Sequence, residues 1–172
     1  MEVRRTYLEL SSRDQLIVPL GRAPEDVRIE PVEGPPSLYR NLYVEVGKEW
    51  HWVDRLGWDD EAIRTHLAQP SVTLWLLTVS SAPAGWFEFK RHEDGSTEIA
   101  YFGILPAFRR RGLGKHLLAE AVRTAWAAGA NRVWLHTCTL DDPAALPNYL
   151  ARGFRPYKEE TYEAEVQRPL SG

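Results

Sequence analysis

Residues 97–128 read as a strand, a turn and a helix in immediate succession: "TEIAYFGIL", then "PAFRRRG", then "LGKHLLAEAVRTAWAA". Leu113, Leu117, Leu118, Ala121, Val122, Ala125 and Trp126 form one apolar stripe at helical spacing, and Gly129 closes it. Upstream, 72–80, 84–91 and 97–105 read as strands, the last two flanking Asp94-Gly95, a turn that needs positive φ. Leu38, Leu42, Val46 and Trp50 predict a helix over 38–53, and "WDDEAIRTHLAQ" a second with acidic residues in its first turn. After 128, "NRVWLHTCTL" reads as a buried strand, "DPAALPNYLARG" as a short helix and "TYEAEV" as a final strand. Strands interspersed with helices, with one hairpin among them, predict an α/β or α+β fold: a central sheet with helices on both faces.

With 172 residues the chain is expected to form one domain over 1–172. Within it, 1–26 reads as a hairpin-like extension built from "VRRTYLEL" and "LIVPL", and 27–32 as the first core strand. The formal net charge of −3 disfavours nucleic-acid or anionic-membrane partners. The single cysteine, Cys138, allows no intrachain disulfide and reads as a small buried strand residue in a reducing, cytoplasmic setting. The start "MEVRRTYLELSSRD" carries no signal-like apolar run, and "VTLWLLTV" is too short to span a bilayer. The five histidines show no zinc-ligand spacing, so no metal is expected.

The block Arg109, Arg110, Arg111, Gly112, Leu113, Gly114, Lys115 therefore needs a local reason. A helix N-terminus presents unpaired N–H groups and partial positive charge, and glycines let a phosphate approach those groups closely. Arginines beside it add charge-assisted contacts. Two nucleotide motifs fail: the third glycine of a dinucleotide fingerprint is Leu117, and Arg109 stands where a P-loop needs glycine.

The run Arg109-Arg110-Arg111-Gly112-Leu113-Gly114 resembles the R/Q-x-x-G-x-G/A signature of the GNAT superfamily of acyl-CoA-dependent N-acetyltransferases. "GILP" stands before it and "YLARGF" after it, so the resemblance covers roughly 72–157. It implies a mixed, mostly antiparallel sheet, with 27–80 as the acceptor-side half and 81–172 as the CoA-binding half. It implies that backbone N–H groups of the turn hold the pyrophosphate of acetyl-CoA, and that the pantetheine arm lies along Phe102, Gly103 and Ile104. Transfer to an amine by direct attack in a ternary complex follows.

The resemblance further implies Glu98, eleven residues before Arg109, as the base and Tyr149 as the acid for the leaving thiolate. Counting outward from Asp94-Gly95 places Arg91 opposite Glu98, so an ion pair is an equal alternative for that carboxylate. Asp142 stands where the family often has Asn, and Pro147 falls inside the short helix, where a bend could displace the phenol. Aromatic and acidic residues crowd 39–60, and Trp52 and Trp58, with Trp86 and Glu88 on one strand face, are the candidate acceptor contacts. Trp50, on the apolar stripe, reads as core. A small amine or amino acid is the expected acceptor; a protein amine, or CoA binding without catalysis, are the alternatives, and a homodimer is compatible with all of them.

Overall fold

The long amphipathic stripe after the arginine–glycine turn needs an apolar sheet face to cover, and the architecture is arranged around that need. The computed structural model describes residues 1–165. The chain runs β1 (Glu2–Leu10), β2 (Val27–Pro31), α1 (Pro36–Gly47), α2 (Asp60–Leu67), β3 (Val72–Val79), β4 (Ala82–Arg91), β5 (Ser96–Ile104), α3 (Leu113–Ala127), β6 (Arg132–Cys138), α4 (Ala145–Ala151) and β7 (Arg155–Glu163). The strands form one sheet in the order β2-β3-β4-β5-β6-β1-β7. Every neighbouring pair is antiparallel except β5–β6.

Two apolar layers lie on opposite faces. On one, Leu113, Leu117, Leu118, Ala121, Val122 and Ala125 of α3 bury against Leu8, Leu10, Phe87, Phe89, Ile99, Val133 and Leu135. On the other, Tyr39, Leu42, Tyr43 and Val46 of α1 and Ile63 of α2 close over Leu74 and Trp86. Strand alternation sends Phe87 and Phe89 to the first layer and Trp86 and Glu88 to the second.

Several local expectations shift. Residues 16–20 form no strand, so 1–26 is not a hairpin; β1 instead lies between β6 and β7. Its partners lie more than 120 positions along the chain, a pairing that no local pattern shows. β2 is an edge strand, largely exposed. α1 ends at Gly47, with Trp52 packed where a Cβ would stand, so Trp50 leaves the stripe. The final strand starts at Arg155, earlier than "TYEAEV", whose last residue lies outside the described residues. Cys138 closes β6 half-buried rather than buried.

The hairpin at Asp94-Gly95 has a three-residue loop: His92 N–H donates to Ser96 O, and Gly95, at φ +85°, donates to His92 O. The odd residue moves the register by one. Arg91 faces Thr97, Lys90 faces Glu98, and the expected Arg91–Glu98 pair does not form. A β1 set between two strands makes a direct prediction. Leu8→Ala, at a fully buried position, costs about 2–5 kcal/mol in urea unfolding, whereas a detachable extension would lose almost nothing.

Candidate functional site

The β5–β6 pairing lasts three rungs, Ser96–Arg132, Thr97–Val133 and Glu98–Trp134. Beyond Glu98, β5 keeps β4 on one side, while β6 continues alongside β1. The two strands thus part in mid-sheet, and residues 99–104 of β5 carry no strand partner on the β6 side among the described residues. A skipped residue, Ala100, offsets the β4 ladder between Ile99 and Tyr101 at the same point.

At the far end of the opened edge lies the arginine–glycine turn. Arg110 and Gly112 both adopt left-handed backbone, φ +63° and +72°. Alternation of this kind turns successive N–H groups toward one side and makes a concavity for anions. Gly112 is the N-cap of α3 and supplies no capping side chain, so the first N–H groups of the helix stay free of one. A Cβ on Gly114 would stand 3.8 Å from Asn148 Nδ2 and 3.9 Å from Ile104, ordinary contact distances. Protein packing therefore does not require glycine there, and the backbone stays open to the approach of a ligand. The turn fits a diphosphate.

The arginines divide their tasks. Arg109 Nη1 donates to Glu49 at 2.8 Å, and its guanidinium lies 5.3 Å from the centre of the Trp50 ring. It therefore fastens the 48–59 loop to the turn, and Trp50 serves as its platform rather than as core. Arg110, Arg111 and Lys115 are exposed, with Arg111 over Phe108. Leu113 is buried in the α3 layer, so only its backbone faces the turn.

Glu98 sits at the last shared rung, its side chain 14% exposed, hydrogen-bonded to His92 Nε2 at 2.9 Å. His92 takes the partner role expected of Arg91, which donates instead to Pro70 O. Tyr149, on α4, packs edge-on against Phe102, which brings it to the opened strand. Burial raises the phenol above its ordinary value, and Asp141 and Asp142 add to that, so it is protonated at neutral pH. No partner for its hydroxyl occurs among the described residues. Pro147 is the third residue of α4, where a backbone donor would be unpaired anyway, so it causes no break. Asp142 accepts from Ala144 N–H at 2.9 Å and starts the helix.

Asp141 was not singled out by its pattern, yet it joins three segments. It accepts from Thr137 Oγ1 at 2.8 Å, from Cys138 N–H at 3.3 Å and from Trp52 Nε1 at 3.3 Å. Trp52 packs against Tyr101, at 4.9 Å between ring centres, as part of the second layer. Trp86 is wholly buried there, and so contributes packing rather than a contact surface.

Glu88 is buried with partners the sequence reading missed. Arg55 Nη1 donates to its two oxygens at 2.9 and 3.0 Å, Tyr39 donates at 2.7 Å, and His66 Nε2 lies at 3.1 Å. Burial alone would raise the carboxyl, but the His66 hydrogen bond and the Arg55 charge outweigh it and hold it below its ordinary 4.5. A depressed folded value gives stability that is full above pH 4.5 and is lost as pH falls below it. Glu88→Gln leaves Arg55 buried without its counter-ion and costs about 3–5 kcal/mol at pH 7. In chemical unfolding, the gap from wild type narrows on acidification through that range.

Comparison with known proteins agrees with this geometry. The family model of the GNAT acetyltransferases matches residues 40–154. No curated relative matches by sequence. Among solved structures, a GCN5-related N-acetyltransferase from Kribbella flavida is 24% identical with TM-score 0.63, over 89% of this chain and 54% of its own. The chain thus spans about half of that protein. An acetyltransferase from Bacillus subtilis in complex with CoA is 19% identical, TM-score 0.59, over 75% of this chain and 76% of its own. An aminoglycoside acetyltransferase from an uncultured soil metagenomic sample, in complex with sisomicin, is 16% identical, TM-score 0.63, over 85% of this chain and 97% of its own. Among the described residues no helix is long and apolar enough to cross a membrane, and no cluster of metal-binding side chains occurs. With the turn, the parted strands and the matched span in agreement, the chain belongs to the GNAT acetyltransferase family.

Proposed function

We propose that this chain transfers an acetyl group from acetyl-CoA to the primary amine of a small acceptor, by direct attack in a ternary complex. The parting of β5 from β6 after Glu98 carries the reading, because the arginine–glycine turn lies at the far end of the opened edge and Tyr149 beside it. Backbone N–H groups over 110–114, with Arg110, Arg111 and Lys115 around them, hold the pyrophosphate. The edge of Phe102, Gly103 and Ile104 pairs with the amide-bearing arm as an added strand would. When bound, acetyl-CoA supplies an activated acetyl thioester.

An alkylammonium with reference pKa near 10.4 is neutral in only about one molecule in 10³–10⁴ at pH 7, which adds roughly 4–5 kcal/mol to the barrier. Glu98 takes up that proton, directly or through water, and His92 beside it steadies the charge. Tyr149, protonated and close to Phe102, donates its proton to the departing sulfur. The cationic acceptor meets the aromatic face of Trp52 and Trp58, behind which Glu88 lies buried with Arg55. The aminoglycoside bound by one structural neighbour supports a small amine over a protein side chain.

Thiol release from acetyl-CoA across an amine and peptide panel is the direct test. Turnover with small amines is expected, and Tyr149→Phe lowers kcat by about 10²-fold or more; no turnover on any member overturns the enzymatic reading. A second measurement isolates the cradle. Gly114→Ala, within the first turn of α3, raises unfolding stability by about 0.5–1 kcal/mol because alanine suits a helix better. In calorimetry the same variant binds CoA about tenfold more weakly or worse, since its methyl group intrudes on the backbone concavity. Unchanged CoA affinity would remove the turn from the site.

A further inference from the structure

Arg55 occupies a setting built for a cation. Its guanidinium lies 4.5 Å from the centre of the Tyr101 ring, 4.8 Å from that of Trp58 and 5.9 Å from that of Tyr39. The Glu88 carboxylate closes the floor, with its side chain 1% exposed. Three aromatic faces and one carboxylate are the chemistry that selects ammonium and guanidinium groups. A small cavity lined by Tyr39, Tyr43, Arg55, Leu56, Ile63 and Arg40, the last paired with Asp60, adjoins the cage.

Its placement ties the cage to the reacting centre. Glu88 and Tyr101 are cross-strand partners on β4 and β5, and Tyr101 precedes Phe102 at the opened edge. Glu88 and Tyr101 belong to the face covered by α1 and α2, across the sheet from α3. An acceptor reaching the opening from that side passes the cage.

Arg55 reaches the cage by its side chain, 15% exposed, while its backbone N–H donates to the Tyr43 hydroxyl at 3.2 Å. Residues 48–59 follow α1 as a series of turns: Trp50 and Trp52 N–H donate back to Gly47 O at the end of α1, Leu56 and Trp58 N–H bond within the segment, and His51 has left-handed backbone, φ +59°. The neighbouring Val53 and Leu56 are 61% and 56% exposed, so the guanidinium can swing out toward solvent while Trp52 and Trp58 stay packed on the second layer. Glu88 would keep Tyr39 and His66 as hydrogen-bond partners.

Resting on the transfer reading above, we infer that the cage of Tyr39, Trp58, Tyr101 and Glu88 is the subsite for a second cationic group of the acceptor, and that Arg55 holds its place until that acceptor displaces it. The acceptor class is then a diamine or guanidino-amine: one end, as the free amine, attacks the thioester, and the other stays charged in the cage. Arg55 sets both selectivity and apparent affinity, because each acceptor must compete with it.

Calorimetry on the full chain loaded with CoA, using 4-guanidinobutylamine and butylamine, tests this apart from turnover. Wild type is expected to bind the guanidino-amine at least about tenfold more tightly than the monoamine. Arg55→Ala tightens the guanidino-amine further, since the competitor is gone, and Trp58→Leu shrinks the preference. A mere structural strut gives the opposite pattern: Arg55→Ala tightens nothing, and the two amines bind alike. That pattern overturns the subsite even where both amines are acetylated. If the guanidino-amine is preferred but neither compound is acetylated, the cage stands and the transfer reading fails. Should Arg55→Ala not fold, wild type and Trp58→Leu decide by the same preference: retained in one and shrunk in the other supports the cage, absent in both overturns it.

Discussion

A parallel strand pair in the middle of a sheet stops after three rungs, and the rest of the molecule is arranged around that stop. Backbone donors and acceptors that lose a sheet partner must find another, because leaving them buried and unpaired costs as much as a lost hydrogen bond. Here the strands part where β4 and β5 slip by one residue at Ala100, so β5 departs from its path just past Glu98. Each side of the gap is then furnished from a different direction. The arginine–glycine turn closes the end of β5, α4 brings Tyr149 against Phe102, and Asp141 anchors the end of β6 to Trp52. On the proposed transfer, an amide-bearing ligand completes a sheet that the chain itself leaves incomplete.

The two faces of the sheet differ in kind. Beneath α3 the layer is mainly apolar, as the helical stripe requires, and its buried polar groups are uncharged threonines. Beneath α1 and α2 the layer includes Glu88, with Arg55 and His66 reaching in from the flanking loop and helix. Replacing a buried ion pair by well-packed apolar residues is often neutral or stabilising, so stability alone gives no reason to keep this one. Recognition of a cation gives such a reason, and on the proposed transfer that face is the one the acceptor meets.

What the sequence showed plainly was local. The α3 stripe, the turn before it and the 72–104 strands emerge at nearly their observed bounds because each depends on residues within a few positions. The parts it hid depend on distant partners or on a single-residue count. β1 has the look of an add-on because β6 and β7, which flank it, come more than a hundred residues later. The Asp94-Gly95 signal located the hairpin, yet a loop of three residues instead of two traded Arg91 for His92 at Glu98. Arg55 and His66 carry no local mark: only the fold brings them to Glu88, whose one same-face cation in the sequence, Lys90 two residues on, is not its partner.

The clustered arginines, finally, are not one feature. Like charges side by side repel, and Arg110 is also in left-handed backbone, which costs a non-glycine residue of order 1 kcal/mol or more. Both costs are tolerable because the charges are separated in function. Arg109 is turned inward to Glu49 and Trp50, where it ties the turn to the 48–59 loop, while Arg110 and Arg111 stay in solvent. That same loop carries Arg55 into the cage and Trp52 to Asp141. On the proposed transfer, the turn on the cofactor side and the loop on the acceptor side are therefore in direct contact through Arg109. A ligand that orders the turn also steadies one end of the loop, which gives binding on one side of the sheet a physical route to the other.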